Sequence, residues 1–283
     1  MAPPLTWGSK TYLMGILNVT PDSFSGDGLA PVERSPDEVV AAALAQAEAF
    51  VTAGAEILDV GAESTRPRNA YGEHPEIDAE IETALAIPVV RALADAFGDR
   101  VHVSIDTSKG VVAAAAVGAG ATIVNDVWAA RRDPGTADAA AASGAHLVLM
   151  HNRESGEGSG EIVATVVGWL SEAVEAAVAR GVPRDRLLVD PGIGFGKGTD
   201  DNLELLHRLA EVKAALGGLP LLVGTSRKRF IGELLGGAPA DDRVEGTAAT
   251  VALAIAAGAD VVRVHDVATI ARTRSVADAI IRR

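Results

Sequence analysis

Met14-Gly15-Ile16-Leu17-Asn18-Val19-Thr20-Pro21-Asp22-Ser23-Phe24-Ser25-Gly26-Asp27-Gly28 is an apolar run that breaks off into polar and loop-forming residues. Residues 12 to 17 hold too few polar side chains for a half-exposed strand, and Pro21, Gly26 and Gly28 stop regular structure beyond it. The run therefore reads as a buried strand feeding a loop, with Asn18 where the strand stops. The same figure, a short apolar run closed by one Asp, Asn, His or Gly, recurs about eight times with helix-like segments between.

Working outward, Ser35-Pro36-Asp37-Glu38 is a helix start, with a capping Ser, Pro at the first position and acids at the positive end; the helix runs to about Ala53. The next strand, 57 to 60, opens into Gly61-Ala62-Glu63-Ser64-Thr65-Arg66-Pro67, a loop continuing through Gly72 and Pro75. A helix is expected over about 76 to 97. Strands follow at 101–105, 122–124, 146–150, 187–189, 221–223 and 261–264, and the segment 200–216 is expected to be one helix. Uninterrupted alternation with strands apolar on both faces predicts a single-domain (β/α)8 TIM barrel over residues 11–283, behind a tail of residues 1–10. A doubly wound nucleotide-binding fold would carry G-x-G-x-x-G after an early strand, where this chain has Asn18-Val19-Thr20-Pro21.

A net charge of −13 argues against nucleic acid or an anionic membrane as partner. A small anionic ligand stays compatible, since a local basic cluster suffices. The absence of cysteine removes disulfides, thiolate catalysis and Cys-ligated zinc. No secretory leader and no run long enough to span a bilayer is read, so a cytoplasmic protein is expected.

In a parallel barrel the carboxyl ends of the strands converge on one mouth. That set is Asn18, Asp59, Asp106, Asn125, His151, Asp190, Lys228, Arg263 and His265. Carboxylates and amides beside cations suit a ligand with a polar heteroaromatic edge and an anionic tail. Asp190 and Asn125 together offer acceptors and a donor to such an edge, although a strand-terminal Asp or Asn is equally a cap or turn former. Arg263 and His265 alternate around Val264 and share one side of their strand; they make an anion site, or Arg263 pairs with a barrel acid. In Ser226-Arg227-Lys228-Arg229, Lys228 is the cation expected to turn inward and the two arginines fit a solvated loop.

Several motifs in order carry a resemblance over nearly the whole chain: Asn18-Val19-Thr20-Pro21-Asp22-Ser23-Phe24-Ser25, Glu63-Ser64-Thr65-Arg66-Pro67, Ser104-Ile105-Asp106-Thr107, Asn125-Asp126, Met150-His151-Asn152, Asp190-Pro191-Gly192-Ile193-Gly194-Phe195, Ser226-Arg227-Lys228 and Arg263-Val264-His265. They resemble the dihydropteroate synthase family. The resemblance implies condensation of 6-hydroxymethyl-7,8-dihydropterin diphosphate with 4-aminobenzoate through a pterin cation, a Mg²⁺ cofactor with Asn18 as ligand, a homodimer and a sulfonamide target. It implies pterin contacts from Asp106, Asn125, Met150, Asp190, Gly194, Phe195, Gly224 and Lys228. Asn18, Thr65, Arg66, Arg263 and His265 would take the diphosphate, and Phe24, Thr65, Pro67, Phe195, Lys228 and Arg229 would form the aminobenzoate pocket. Asp106, Asp190, Lys228, Arg66, Arg263 and His265 would act in catalysis.

The pattern departs at Ser25-Gly26-Asp27-Gly28, where many relatives have Ser-Asp-Gly-Gly, and at Arg229, where Ser is frequent. Two rival readings share much of this pattern. A methyltetrahydrofolate methyltransferase barrel should lack Arg66, Arg263 and His265, and a non-catalytic pterin-binding paralogue would bind without turnover.

Overall fold

The structure, a computed structural model, describes residues 2–20, 35–63, 77–153 and 161–283. The apolar runs form eight strands: β1 (Tyr12–Asn18), β2 (Ile57–Gly61), β3 (His102–Asp106), β4 (Ile123–Asp126), β5 (His146–Met150), β6 (Leu187–Asp190), β7 (Leu222–Val223) and β8 (Val261–Val264). They pair in parallel in the order β6-β5-β4-β3-β2-β1-β8-β7. A parallel bridge between Val189 and Leu221 brings β6 to the start of β7. The result is the expected TIM barrel, nearly closed, in a single domain.

Helices α1 (Pro36–Thr52), α2 (Ala79–Phe97), α3 (Gly110–Gly118), α4 (Gly135–Ser143) and α5 (Ile162–Ala179) follow β1 to β5 in turn. After β6 come α6 (Thr199–His207) and α7 (Leu209–Ala215), after β7 come α8 (Arg229–Leu234) and α9 (Val244–Ala256), and α10 (Val267–Ile281) follows β8. Helix α1 starts as its sequence dictates: Ser35 Oγ accepts the Glu38 N–H while Glu38 Oε2 accepts the Ser35 N–H, a reciprocal box that satisfies two end donors. Helix α2 begins three residues later than expected, because Asp78 is the residue whose side chain accepts the Ile81 N–H, at 2.8 Å. The single helix expected over 200–216 is divided at Arg208 (φ −105°, ψ 23°), a break that no Gly or Pro announces.

Alternation along the strands builds two cores. Tyr12, Met14, Ile57, Ile123, Val148, Leu188, Leu222 and Val261 fill the barrel interior, while Leu17, Leu58, Val60 and Leu147 face the helical shell. Gly15 shows why one position in β1 has no side chain: a Cβ there would lie 2.5 Å from Phe50 Cδ2, so its absence seats α1 against the strand. The segment expected as a tail packs beneath the barrel, with Leu5 and Trp7 against the interior cluster. The Trp7 ring meets Tyr12 at 5.5 Å and His146 at 5.9 Å, both edge to face. The floor is thus apolar and plugged, which leaves chemistry to the opposite end.

Helix α5 corrects one expectation, being long and apolar enough by length and composition to cross a membrane. In the barrel its Ile162, Val166, Leu170 and Val174 are buried in the shell core, and Glu172 and Glu175 face solvent. The run marks a core helix here.

Candidate active site

Strand register sets which polar residues share a level. Asn18, Gly61, Asp106 and Asn125 align across β1 to β4, forming the top row of one side of the mouth. One step deeper, Ile16 aligns with Asp59 and Asp59 with Ser104. Asp59 therefore lies inside β2, one layer below the mouth, and not at a strand end.

Above these rows opens a recess of about 400 Å³, a figure that includes the space at its open mouth. Asn125, Met150, Asp190, Phe195, Gly224, Lys228, Arg263 and His265, all named from sequence, line it together with Ile16, Val127 and Ser226. The three additions obey a period of two with residues already identified: 16 with 18, 127 with 125, and 226 between 224 and 228. That alternation is the signal that would have found them.

Arg263 enters the barrel from β8 and divides its fork between two acids, donating from Nε to Asp59 Oδ2 at 2.6 Å and from Nη2 to Asp106 Oδ2 at 2.7 Å. Both readings of Arg263 are therefore realised at once: it pairs with barrel acids and it faces the recess. Asn125 Nδ2 donates to the same Asp59 oxygen at 3.1 Å, and Ser104 Oγ donates to Asp59 Oδ1 at 2.5 Å. Asp106 Oδ1 is buried with no hydrogen-bond partner among the described residues. Burial pushes the Asp106 carboxyl up to about 7, against the pull of Arg263 and with the help of Asp59.

Asp190 likewise serves both readings. Its Oδ1 accepts the Gly192 N–H at 2.7 Å, forming a tight turn, while the residue lines the recess. Burial raises its carboxyl to about 6, opposed by the Gly192 N–H and then by Lys228, Lys197 and Arg263. Lys228 turns inward as expected, its ammonium 3.9 Å from the Phe195 ring centroid. Ser226 Oγ accepts the His265 main-chain N–H at 3.1 Å and lies 3.0 Å from His265 Nδ1, fixing that ring at the rim.

Other named residues fall elsewhere. Arg227 donates to Asp266 from Nε and Nη2, and Arg229 is an exposed partner of Glu233, so neither lines the recess. Gly194 and Asp106 lie next to it, and Asn18 is half-buried at the end of β1. Phe24, Thr65, Arg66 and Pro67 lie outside the described residues.

Lys197 received no role from sequence. It is buried, and its ammonium donates to the carbonyls of Gly192 (2.8 Å), Phe195 (3.0 Å) and His151 (3.4 Å), tying the loop after β6 to β5. Burial draws it down to about 7, with Asp190 opposing.

Residues 14–265 match the family described as pterin binding enzyme. The chain is 43% identical over 277 residues to the dihydropteroate synthase of Bacillus subtilis, covering 98% of this chain and 91% of that protein. The Clostridium difficile dihydropteroate synthase solved in the presence of pteroic acid superposes with a TM-score of 0.88 at 39% identity, over 98% of this chain and 99% of that one. The Xanthomonas albilineans dihydropteroate synthase solved with 4-aminobenzoic acid gives a TM-score of 0.85 at 40% identity, over 96% and 94% of the two chains.

Proposed function

The chain belongs to the pterin-binding enzyme family, and from that premise we propose that it is a dihydropteroate synthase, a transferase joining 6-hydroxymethyl-7,8-dihydropterin diphosphate to 4-aminobenzoate. The observation that carries this reading is the convergence of Asn125, Asp190, Lys228, Arg263 and His265 on one recess. An amide, a carboxylate and three potential cations in one space suit a heteroaromatic edge with an anionic tail.

In this reading Asp190 and Asp106 accept N–H bonds from the pterin, Asn125 donates and accepts, and Met150, Val127 and Ile16 supply apolar walls. Arg263 faces the diphosphate from within the barrel and His265 from the rim, and the family resemblance assigns Arg66 to the same ligand. The C–O bond between the pterin methylene and the diphosphate breaks, and its electron pair leaves with the diphosphate. The arylamine nitrogen then forms the new C–N bond and gives up a proton. Buried carboxylates beside the ring favour the cationic pterin, and the cations on the diphosphate favour the departing anion. Phe195 and Lys228 form part of the wall against which the aminobenzoate lies.

A Mg²⁺ ion belongs to the proposal. Asn18 presents a side chain without a hydrogen bond among the described residues, beside Gly61 and at the level of Asp106. One amide oxygen fits an ion that keeps its waters and takes the rest of its shell from substrate phosphates. When bound it would supply positive charge to the leaving diphosphate. A cytoplasmic homodimer is also part of the proposal. Exposed Leu203, Leu234 and Leu253 lie on α6, α8 and α9, with exposed Leu235 just after α8; α6 packs against both α8 and α9, and together they offer an apolar face for a second copy.

A condensation assay with both substrates and Mg²⁺ tests the function. Dihydropteroate and diphosphate are expected in equal amounts. Tight pterin diphosphate binding without product at any Mg²⁺ concentration would favour a non-catalytic pterin binder instead.

A further inference from the structure

Asp59 is wholly buried and does not line the recess, yet three donors from three other strands converge on its carboxylate. Ser104 of β3 takes Oδ1, while Asn125 of β4 and Arg263 of β8 share Oδ2. Two of these three side chains line the recess directly above. We propose that Asp59 is the positioning residue of the site, a carboxylate beneath the substrate that sets the orientation of the Asn125 amide and the Arg263 guanidinium without touching the ligand. This inference rests on the condensation reading given above.

The chemistry of each bond gives the reason. The two ends of an amide have nearly the same shape, so packing alone does not decide which faces a ligand. An acceptor-only carboxylate below Asn125 does decide it: the NH₂ must point down, because the flipped amide would set oxygen against oxygen. The carbonyl oxygen and the second N–H are then presented to the ligand in a defined order. For Arg263, the bond from Nε to Asp59 and the bond from Nη2 to Asp106 fix the guanidinium plane at two points, leaving Nη1 without a partner among the described residues. With Asp59 removed, only one point holds the plane and the amide is free to invert.

An ion pair that merely stabilises the barrel would not be selective between substrates, so the test reads selectivity in the full chain. Asp59→Asn keeps the shape, removes the charge and sets an NH₂ against the donors. The dissociation constant for dihydropterin diphosphate should rise about tenfold or more, while KM for 4-aminobenzoate stays within about twofold. In an Asn125→Ala background, with 6-hydroxymethylpterin lacking diphosphate as the probe, Asp59→Asn should add nothing, since both partners through which Asp59 acts are then absent or idle. Asp59→Glu is the second variant; it keeps charge and acceptors but displaces the carboxylate by a methylene, and the same pterin-selective loss is expected. Unchanged pterin affinity in either folded variant, or an undiminished loss in the Asn125→Ala background, would overturn the proposal. Wild-type protein that binds the pterin but makes no dihydropteroate would overturn the condensation reading alone, because the binding measurements still judge Asp59.

Discussion

The Lys228 ammonium lies 3.9 Å from the centroid of the Phe195 ring, and its stem crosses Gly194, where a Cβ would stand 2.7 Å from Lys228 Cδ. Gly194 also holds φ at +82°, and its N–H donates to Asn202 Oδ1 at 2.6 Å. The glycine is therefore the passage through which Lys228 reaches both the ring and Asp190. Gly194→Ala should push the stem aside and strain the backbone, lowering stability by about 1 kcal/mol and weakening pterin binding about tenfold. Urea denaturation and calorimetry with the pterin ligand check the two effects; unchanged affinity would show that Lys228 has another route.

Arg263 neutralises two buried carboxylates in addition to facing the recess. Arg263→Ala should therefore cost about 3–5 kcal/mol of folding stability, because it strands Asp59 and Asp106 without a cation. Arg263→Lys keeps the charge but loses the fork and should fall between the two. Denaturant midpoints would measure this, and an alanine variant as stable as the wild type would show that the two acids do not depend on the Arg263 cation in the folded protein.

Asp190, raised to about 6 by burial, faces Lys228, Lys197, Arg263 and the Gly192 N–H. A proton on its carboxyl competes with the pterin N–H groups, so pterin affinity should fall as pH drops below about 6, by up to tenfold per unit. Asp106, raised to about 7, adds an earlier step in the same direction. The ligand-free protein behaves oppositely. Between the ordinary value of 3.8 and these raised values the folded state holds more protons than the unfolded one, so this contribution to stability is lost as pH rises from about 4 to about 7. Binding isotherms across this range, with Asp190→Asn as the variant lacking the lower step, test the assignment.

Ala129 and Ala130 occupy the left-handed region at φ 53° and 58°, in a loop pinned by Asp126, whose carboxylate accepts the N–H groups of Trp128 and Ala130. The same loop carries Val127 into the recess. Glycine adopts this backbone without the Cβ penalty, so Ala129→Gly or Ala130→Gly should each raise stability by roughly 0.5–1 kcal/mol. Thermal melting tests this, and a lowered midpoint in both would show that the alanine methyls contribute packing that outweighs the strain.

The order and kind of the elements were legible in the sequence because each strand's two buried faces demand an unbroken apolar run, and each run ends where a polar or loop-forming residue must meet solvent or ligand. That convergence at one end of a parallel barrel follows from chain direction, so Asn125, Asp190, Lys228, Arg263 and His265 were identified as neighbours from sequence alone. Depth and pairing were decided by the tertiary structure. Asp59 and Arg263 are 204 positions apart in the chain; β1 lies between their strands, with Ile16 beside Asp59 and Met14 beside Arg263, and the arginine side chain spans that offset. Lys197 went unassigned for a related reason: its partners are backbone carbonyls, which every residue possesses and no sequence pattern distinguishes. Local periodicity specifies which side of a strand a residue faces, whereas contacts between strands depend on the stagger that closes the barrel, a property of all eight strands together.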